Sequence, residues 1–414
     1  MKLRIRRRLA EMVWVSGGMA MSRLFTLVAS VIGARLLGVE EFGRFTLFLT
    51  IALLIADMGR PVDNAYVRET SGREETEAAS YLRFSVYLKL GVIVSMALIW
   101  LSASAFGPSP FTAMLNLVGA ALVTGSLWTV TYSLQANFQR RQQFRKMGMI
   151  DPLATSSVFV AMGLASLGGE LAVQRVIAWV LLLSVLIAAA SSLLILWWTK
   201  RSVLPRAERK QFLSLIWIFF SSGAVLQVAG RLDTFLVAGM MDMRVLGYYG
   251  AAARVVGPVG MLGAGAGMLL LPVARRAYES RAGLTDYIRR SALYNAAQLA
   301  VLLLLLGISE QLVSWLFGEQ YLAAGAILQW LLLARILNAL TVPFRVLLQA
   351  SQWPARLFWA AVVRIVVGTV SIALLVPYLG GVGAAVGLCV GEFVTLCVTV
   401  LFVRRGWRFE QREV

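Results

Sequence analysis

The run 176-VIAWVLLLSVLIAAASSLLILWW-198 decides the fold. It carries no charge, it is longer than the roughly 20 apolar residues a helix needs to cross a bilayer, and Lys200 and Arg201 follow it almost at once. Comparable runs recur along all 414 residues, of which 59% are apolar and only 14% charged. A soluble chain of this length would carry roughly a quarter charged residues, and the mean hydropathy of +0.76 agrees. A β-barrel would show short alternating segments instead. In lipid the backbone must satisfy its own hydrogen bonds, which leaves helices. The expected fold is therefore all-α, a polytopic membrane protein.

Twelve spans are expected, at about 12–37, 45–67, 81–106, 113–137, 148–168, 174–198, 212–241, 248–274, 291–311, 325–349, 357–378 and 384–403. The basic start, Met1 to Arg8, looks like a signal peptide, but the apolar stretch after it runs too long for a signal core and carries Arg23 and Arg35. It reads as an uncleaved first span. Alternate connections hold 26 Lys and Arg against 3 in the other set, a bias from which both termini are expected in the cytoplasm. The net charge of +18 then reflects topology and contact with anionic membrane lipids, and no nucleic acid is expected as a partner. Cys389 and Cys397 lie two turns apart on one helix, too far apart to bridge. The chain has no histidine, which removes the commonest proton shuttle and metal ligand. No metal site is expected.

A repeat runs through the chain. Gly33-Ala-Arg-Leu-Leu-Gly-Val-Glu-Glu-Phe-Gly-Arg-Phe is echoed about 204 residues later by Val237-Ala-Gly-Met-Met-Asp-Met-Arg-Val-Leu-Gly-Tyr-Tyr, so that Gly43 matches Gly247 and Phe45 matches Tyr249. Six spans per half make this a parallel repeat. The expected organisation is an N-terminal six-helix lobe at 1–198, a cytoplasmic linker at 199–211, a C-terminal six-helix lobe at 212–403 and a cytoplasmic tail at 404–414, with the two lobes around a central cationic cavity.

Several of these stretches resemble one family. Arg35-Leu-Leu-Gly-Val-Glu-Glu-Phe-Gly-Arg-Phe, Asp57-Met-Gly, Arg231-Leu-Asp-Thr-Phe-Leu-Val-Ala-Gly, Leu246-Gly-Tyr-Tyr-Gly-Ala-Ala-Ala-Arg254 and Leu316-Phe-Gly-Glu-Gln-Tyr are similar to the multidrug/oligosaccharidyl-lipid/polysaccharide (MOP) exporter superfamily, in its polysaccharide branch of O-antigen and exopolysaccharide flippases. The resemblance covers nearly the whole chain. Its motifs are turn and packing signatures, informative about the superfamily and poor guides to the substrate. It implies transport of a lipid-linked sugar, with basic residues on spans one and eight as phosphate contacts, where Arg23 and Arg254 fall.

The charges inside the spans bear on chemistry, because each is costly in lipid. Ten are basic and five clearly acidic, so internal pairing cannot neutralise them. Arg83 and Arg345 lie near span ends, where snorkelling explains them. The candidate substrate-binding residues are Arg23, Arg254, Arg364, Arg335, Lys89 and Arg60, although Arg60 follows Asp57 by three residues and an in-helix ion pair is an equal reading. Arginine presents fixed donor pairs that match phosphate oxygens. Asp57, Asp233 and Glu392 are candidates for coupling to an ion, with a structural pair to a neighbouring Arg as the plainer alternative. The stripe Thr124, Trp128, Thr131 and Gln135 either lines a cavity or bonds between helices.

The expected function is translocation of a polyprenyl-diphosphate-linked oligosaccharide by alternating access, with polysaccharide polymerases as neighbouring partners. No Gly-x-x-x-x-Gly-Lys-[Ser/Thr] phosphate loop is present, so no cofactor is expected, and an H+ or Na+ gradient or the membrane potential would drive movement. The chain is not expected to be an enzyme. The alternatives are an ion-coupled multidrug exporter of the same superfamily, or a membrane polysaccharide polymerase or ligase, for which outer loops this short leave little room.

Overall fold

A computed structural model describes residues 2–105, 112–167, 172–199, 203–351 and 355–410. Among them there is no strand. Thirteen helices follow in order: α1 Lys2–Met58, α2 Arg60–Thr70, α3 Glu75–Ser104, α4 Thr112–Arg140, α5 Phe144–Ser166, α6 Val173–Trp198, α7 Arg206–Ala229, α8 Leu232–Met240, α9 Met243–Glu279, α10 Arg281–Gly307, α11 Ser309–Phe317, α12 Ala323–Ala350 and α13 Ala355–Glu410. Within the described residues nine stretches are long and apolar enough to cross a membrane. Two of them, Ala20–Thr70 and Ala355–Arg405, are 51 residues long, enough to cross twice. Each expected span coincides with a helix, part of one, or a broken pair. The protein is a polytopic, all-α membrane protein.

The breaks have identifiable causes. α1 is interrupted at Gly38, φ 75°, and α13 at Gly380, φ 57°; glycine enters this left-handed region without a steric penalty. The connection left between expected spans one (12–37) and two (45–67) is thus broken at a single residue, after which the helix resumes. Span seven, expected as one helix, is two: α7 stops at Ala229 and α8 starts at Leu232, with Gly230 and Arg231 between them. At Gly59 α1 gives way to α2, whose Pro61 lies in the first turn, where its missing N–H costs nothing.

Contacts group the chain into two units that do not follow a cut at 199–211. Unit 1 is residues 1–37 with 44–231, and unit 2 is residues 38–43 with 232–414. Lys200 and Arg201 of the expected linker lie outside the described residues, as do residues 411–414 of the tail, while Arg206, Arg209 and Lys210 already belong to α7. The reason α7 groups with unit 1 is visible at both its ends. Glu208 Oε2 accepts from the Tyr81 hydroxyl at 2.8 Å, and the buried Phe212 ring meets Tyr81 edge-on at 5.2 Å. Just beyond the other end, Arg231 Nη2 donates to Asp57 Oδ2 at 2.5 Å.

In unit 1, α4 is the central helix. Nearly every residue from Leu117 to Phe138 is buried. Trp128 Nε1 donates to Ser184 Oγ at 3.0 Å and Gln135 Nε2 to Asp151 Oδ2 at 3.2 Å. These two members of the span-four stripe bond between helices.

In unit 2 the segment 38–43 packs against α9. Gly43 lies against the carbonyl of Met243, and Gly247 against the carbonyl of Val39, so a Cβ at either would overlap backbone. The contact is reciprocal at the offset of the sequence repeat: 43 meets 243 as 247 meets 39. Fully buried Phe42 and Phe317 surround Tyr321, with ring centroids 5.9 and 5.7 Å away. The two limbs of α13 also cross on glycine, because the absent Cβ of Gly391 would sit 3.0 Å from Gly368 Cα. Small residues let helix backbones approach this closely.

Candidate functional site

The intramembrane charges expected from the sequence fall into three groups. One is sealed. Lys89 on α3, 4% exposed, donates from Nζ to Asp63 Oδ1 at 2.7 Å, to the Thr129 carbonyl at 2.7 Å and to Ser133 Oγ at 2.8 Å. Three acceptors use the full donor capacity of an ammonium group. Lys89, expected among the substrate-binding cations, is consumed inside α2, α3 and α4, because burying it required a partner carboxylate.

A second group lies in unit 1 around Asp57. Asp57 Oδ1 accepts from Arg60 Nε at 3.1 Å, and Oδ2 takes Arg231. The pair expected at this three-residue spacing forms, but across the break at Gly59, from the end of α1 to the start of α2. The Arg60 guanidinium also stands 4.6 Å from the centroid of the Tyr132 ring and 4.0 Å from Asp151 Oδ1. Arg23 is close enough to the Tyr132 phenol to act on it electrostatically, and it is exposed. Three guanidiniums, from Arg23, Arg60 and Arg231, stand against two carboxylates, Asp57 and Asp151. One positive charge is left over, and no carboxylate among the described residues pairs with Arg23.

The third group, in unit 2, depends on the α13 crossing. Gly391 against Gly368 brings Arg364 beside Glu392, whose Oε1 accepts from Arg364 Nη1 at 3.1 Å. Asn338 on α12 bridges: its Nδ2 donates to Glu392 Oε2 at 3.0 Å and its Oδ1 accepts from Arg345 Nη2 at 3.2 Å. Arg345, expected to snorkel at a span end, is instead half-buried in this network. Again two guanidiniums share one carboxylate. Asp233 accepts from the Tyr249 hydroxyl of α9. Arg335 is close enough to act on Asp233 but makes no ion pair among the described residues, and it is exposed. Arg254 is half-buried on α9.

Arg23, Arg60, Asp57, Arg231 and Asp151 therefore come together in one unit, and Arg364, Glu392 and Arg345 in the other. Asp151, Tyr132 and Asn338 are polar residues whose roles the spacing did not reveal, since each acts across helices. Among the described residues no group of three His, Cys, Asp or Glu could hold a metal. Cys389 is buried and Cys397 exposed, and both are free.

The same fold occurs in known transporters. The lipid II flippase MurJ in its inward closed conformation superposes with a TM-score of 0.74 at 15% identity, covering 95% of this chain and 87% of that one. A multidrug resistance MATE family transporter of the MOP superfamily, facing inward, gives 0.62 at 18% identity, over 97% and 99%. A MOP superfamily transporter from Pyrococcus furiosus, described as having a binding pocket of reverse polarity, gives 0.61 at 17%, over 95% of each chain. At such identities the likeness establishes the fold alone. No curated protein matches. A family model, described as polysaccharide biosynthesis protein, matches residues 9–278, well over half the chain and including the turn, Asp57 and span-eight motifs. Matching well over half the chain, this family model places it: the chain belongs to the polysaccharide biosynthesis protein family.

Proposed function

We propose that this protein is a flippase that carries a polyprenyl-diphosphate-linked oligosaccharide from the cytoplasmic to the outer face of a bacterial inner membrane, with both its termini in the cytoplasm. The observation that carries the reading is the excess of guanidinium over carboxylate within the spans. Arg23 and Arg335 are exposed there, and neither has a carboxylate partner among the described residues. A charge in lipid without a partner requires water or an anionic ligand, and a diphosphate matches the planar fork of arginine. Family membership supports a role in polysaccharide synthesis. Arg254 and Arg364 are the next candidates for phosphate contact. Asp57 and Glu392 each already hold arginines, and Asp233 accepts from Tyr249. Each could still answer to an ion gradient or to the membrane potential. The covalent joining of sugars would fall to separate polymerases.

Complementation tests this directly. Expressed in strains that each lack one defined flippase, the protein should restore one surface polysaccharide, and Arg23→Ala should restore about tenfold less or worse, given 1.5–3 kcal/mol for a hydrogen bond to a charged group. Arg23→Lys should recover part. A well-folded Arg23→Ala protein with wild-type activity would defeat the cationic mechanism. Reporters fused at Arg209 and Val414 should both read as cytoplasmic. The likeness to MATE transporters favours a second reading, export of drugs. That reading requires resistance to cationic drugs on expression, which a cationic site disfavours.

A further inference from the structure

In unit 1 a groove of about 520 Å³ runs between α2 and α7. The α7 positions that line it, 207, 210, 211, 214, 215 and 218, recur at the spacing of one helical face, so the groove follows the helix axis. It is polar toward the start of α7, where Lys210, Gln211 and Ser214 line it together with Arg68 of α2, and apolar further along, at Leu215 and Ile218. All four polar side chains are exposed, and none has a hydrogen-bond or ion-pair partner among the described residues. Arg68 only rests over the Phe219 ring, 5.8 Å from its centroid. The single carboxylate of the lining, Glu69, is held by Arg73 at 2.5 Å. Two positive charges thus remain unanswered at the polar end.

We infer that this groove binds an anionic glycerophospholipid, with the phosphate on Arg68 and Lys210 and an acyl chain along Leu215 and Ile218. The order of parts argues for a lipid. The polar end lies where expected span two (45–67) ends and expected span seven (212–241) begins, on the side expected to face the cytoplasm, and the apolar end runs into a span, as headgroup and chain do in a leaflet. A free phosphate would leave the apolar half of the groove without a role. A zwitterionic head would bring its own cation against Arg68 and Lys210. Basic residues beside an anionic leaflet each contribute about 1 kcal/mol, and a fixed pair aimed at one phosphate adds geometry. The site is independent of the transported substrate, and its loss would leave the flippase reading standing.

The test uses purified full-length protein exchanged into bilayer discs of equal phosphatidylglycerol and phosphatidylcholine, with retained lipid read by native mass spectrometry. Wild type should keep phosphatidylglycerol in preference to phosphatidylcholine. Arg68→Gln with Lys210→Gln should lower that retention by roughly tenfold or more, while Arg68→Lys with Lys210→Arg should keep most of it. Arg289→Gln, at an exposed arginine of α10 outside the groove, should change nothing. Leu215→Ser with Ile218→Ser should weaken retention of the lipid as well. Should the double glutamine variant fail to fold, the single variants, both at exposed positions, give the same reading. Equal retention of the two lipids by wild type, or full retention by the glutamine variants, would overturn the inference. So would displacement of the lipid by inorganic phosphate at equal concentration.

Discussion

Lys89–Asp63 in unit 1 and Arg364–Glu392 in unit 2 are both ion pairs inside spans, and they are built oppositely. The first is closed: its side chains are 4% and 10% exposed, and the lysine has no donor left over. The second is open: the Arg364 side chain is 41% exposed and shares Glu392 with the Asn338 bridge to Arg345. Burial makes the partner indispensable in the first case, since removing either member strands a desolvated charge. Exposure lets solvent or a ligand stand in for the partner in the second. The comparison separates cations that hold the fold from cations available to an anion, although the sequence places both kinds at similar depth.

The largest expected effect follows from the closed pair. Lys89→Met or Asp63→Leu alone should lose about 3–5 kcal/mol, seen as a large drop in melting temperature in detergent. Combining the two should recover most of it, because no unpaired charge remains. A double variant as unstable as the singles would mean that the hydrogen bonds to Thr129 and Ser133 matter more than the pair.

Next is the reciprocal glycine crossing of unit 2. Gly43→Ala and Gly247→Ala each push a methyl group into the facing backbone and should each cost about 1–3 kcal/mol. Melting of the single variants checks this. A substitution tolerated at one position and not at the other would break the reciprocity.

A smaller effect is expected at the open pair. Arg364→Ala should cost about 1 kcal/mol or less, and a double-mutant cycle with Glu392→Gln should show weak coupling. Coupling as large as that of Lys89 with Asp63 would close the distinction drawn above. The smallest stability effect belongs to Arg23→Ala and Arg335→Ala, within about 0.5 kcal/mol as for exposed positions without partners. If both also leave complementation intact, these arginines are not ligand contacts.

Particular residues show how far the sequence could be read. The Asp57–Arg60 pair was legible because residues three apart in helical backbone share a face, and the break at Gly59 leaves them facing each other. Lys89 was misplaced among the open cations because its partner Asp63 is 26 residues away on another helix, and no periodicity connects them. Arg345 was placed at a membrane edge by its depth, while Asn338 draws it into the Glu392 network. Gly43 and Gly247 were matched by the repeat, but their mutual contact depends on how two helices cross. The motif at 316–321 was recognisable as a turn. That its Phe317 and Tyr321 close a core around Phe42 is a matter of packing.

The sequence by itself determined that the chain is helical, that it crosses a membrane many times and which family it resembles. These follow from hydrophobic run length and local spacing, which act within one helix. The tertiary structure decided which charges are consumed and which stay open, that span seven breaks at Gly230 and Arg231, and that α7 joins unit 1. Those outcomes depend on partners brought together from distant positions. Inside a low-dielectric medium a partner a few ångströms away governs a charge far more strongly than its own sequence neighbours do.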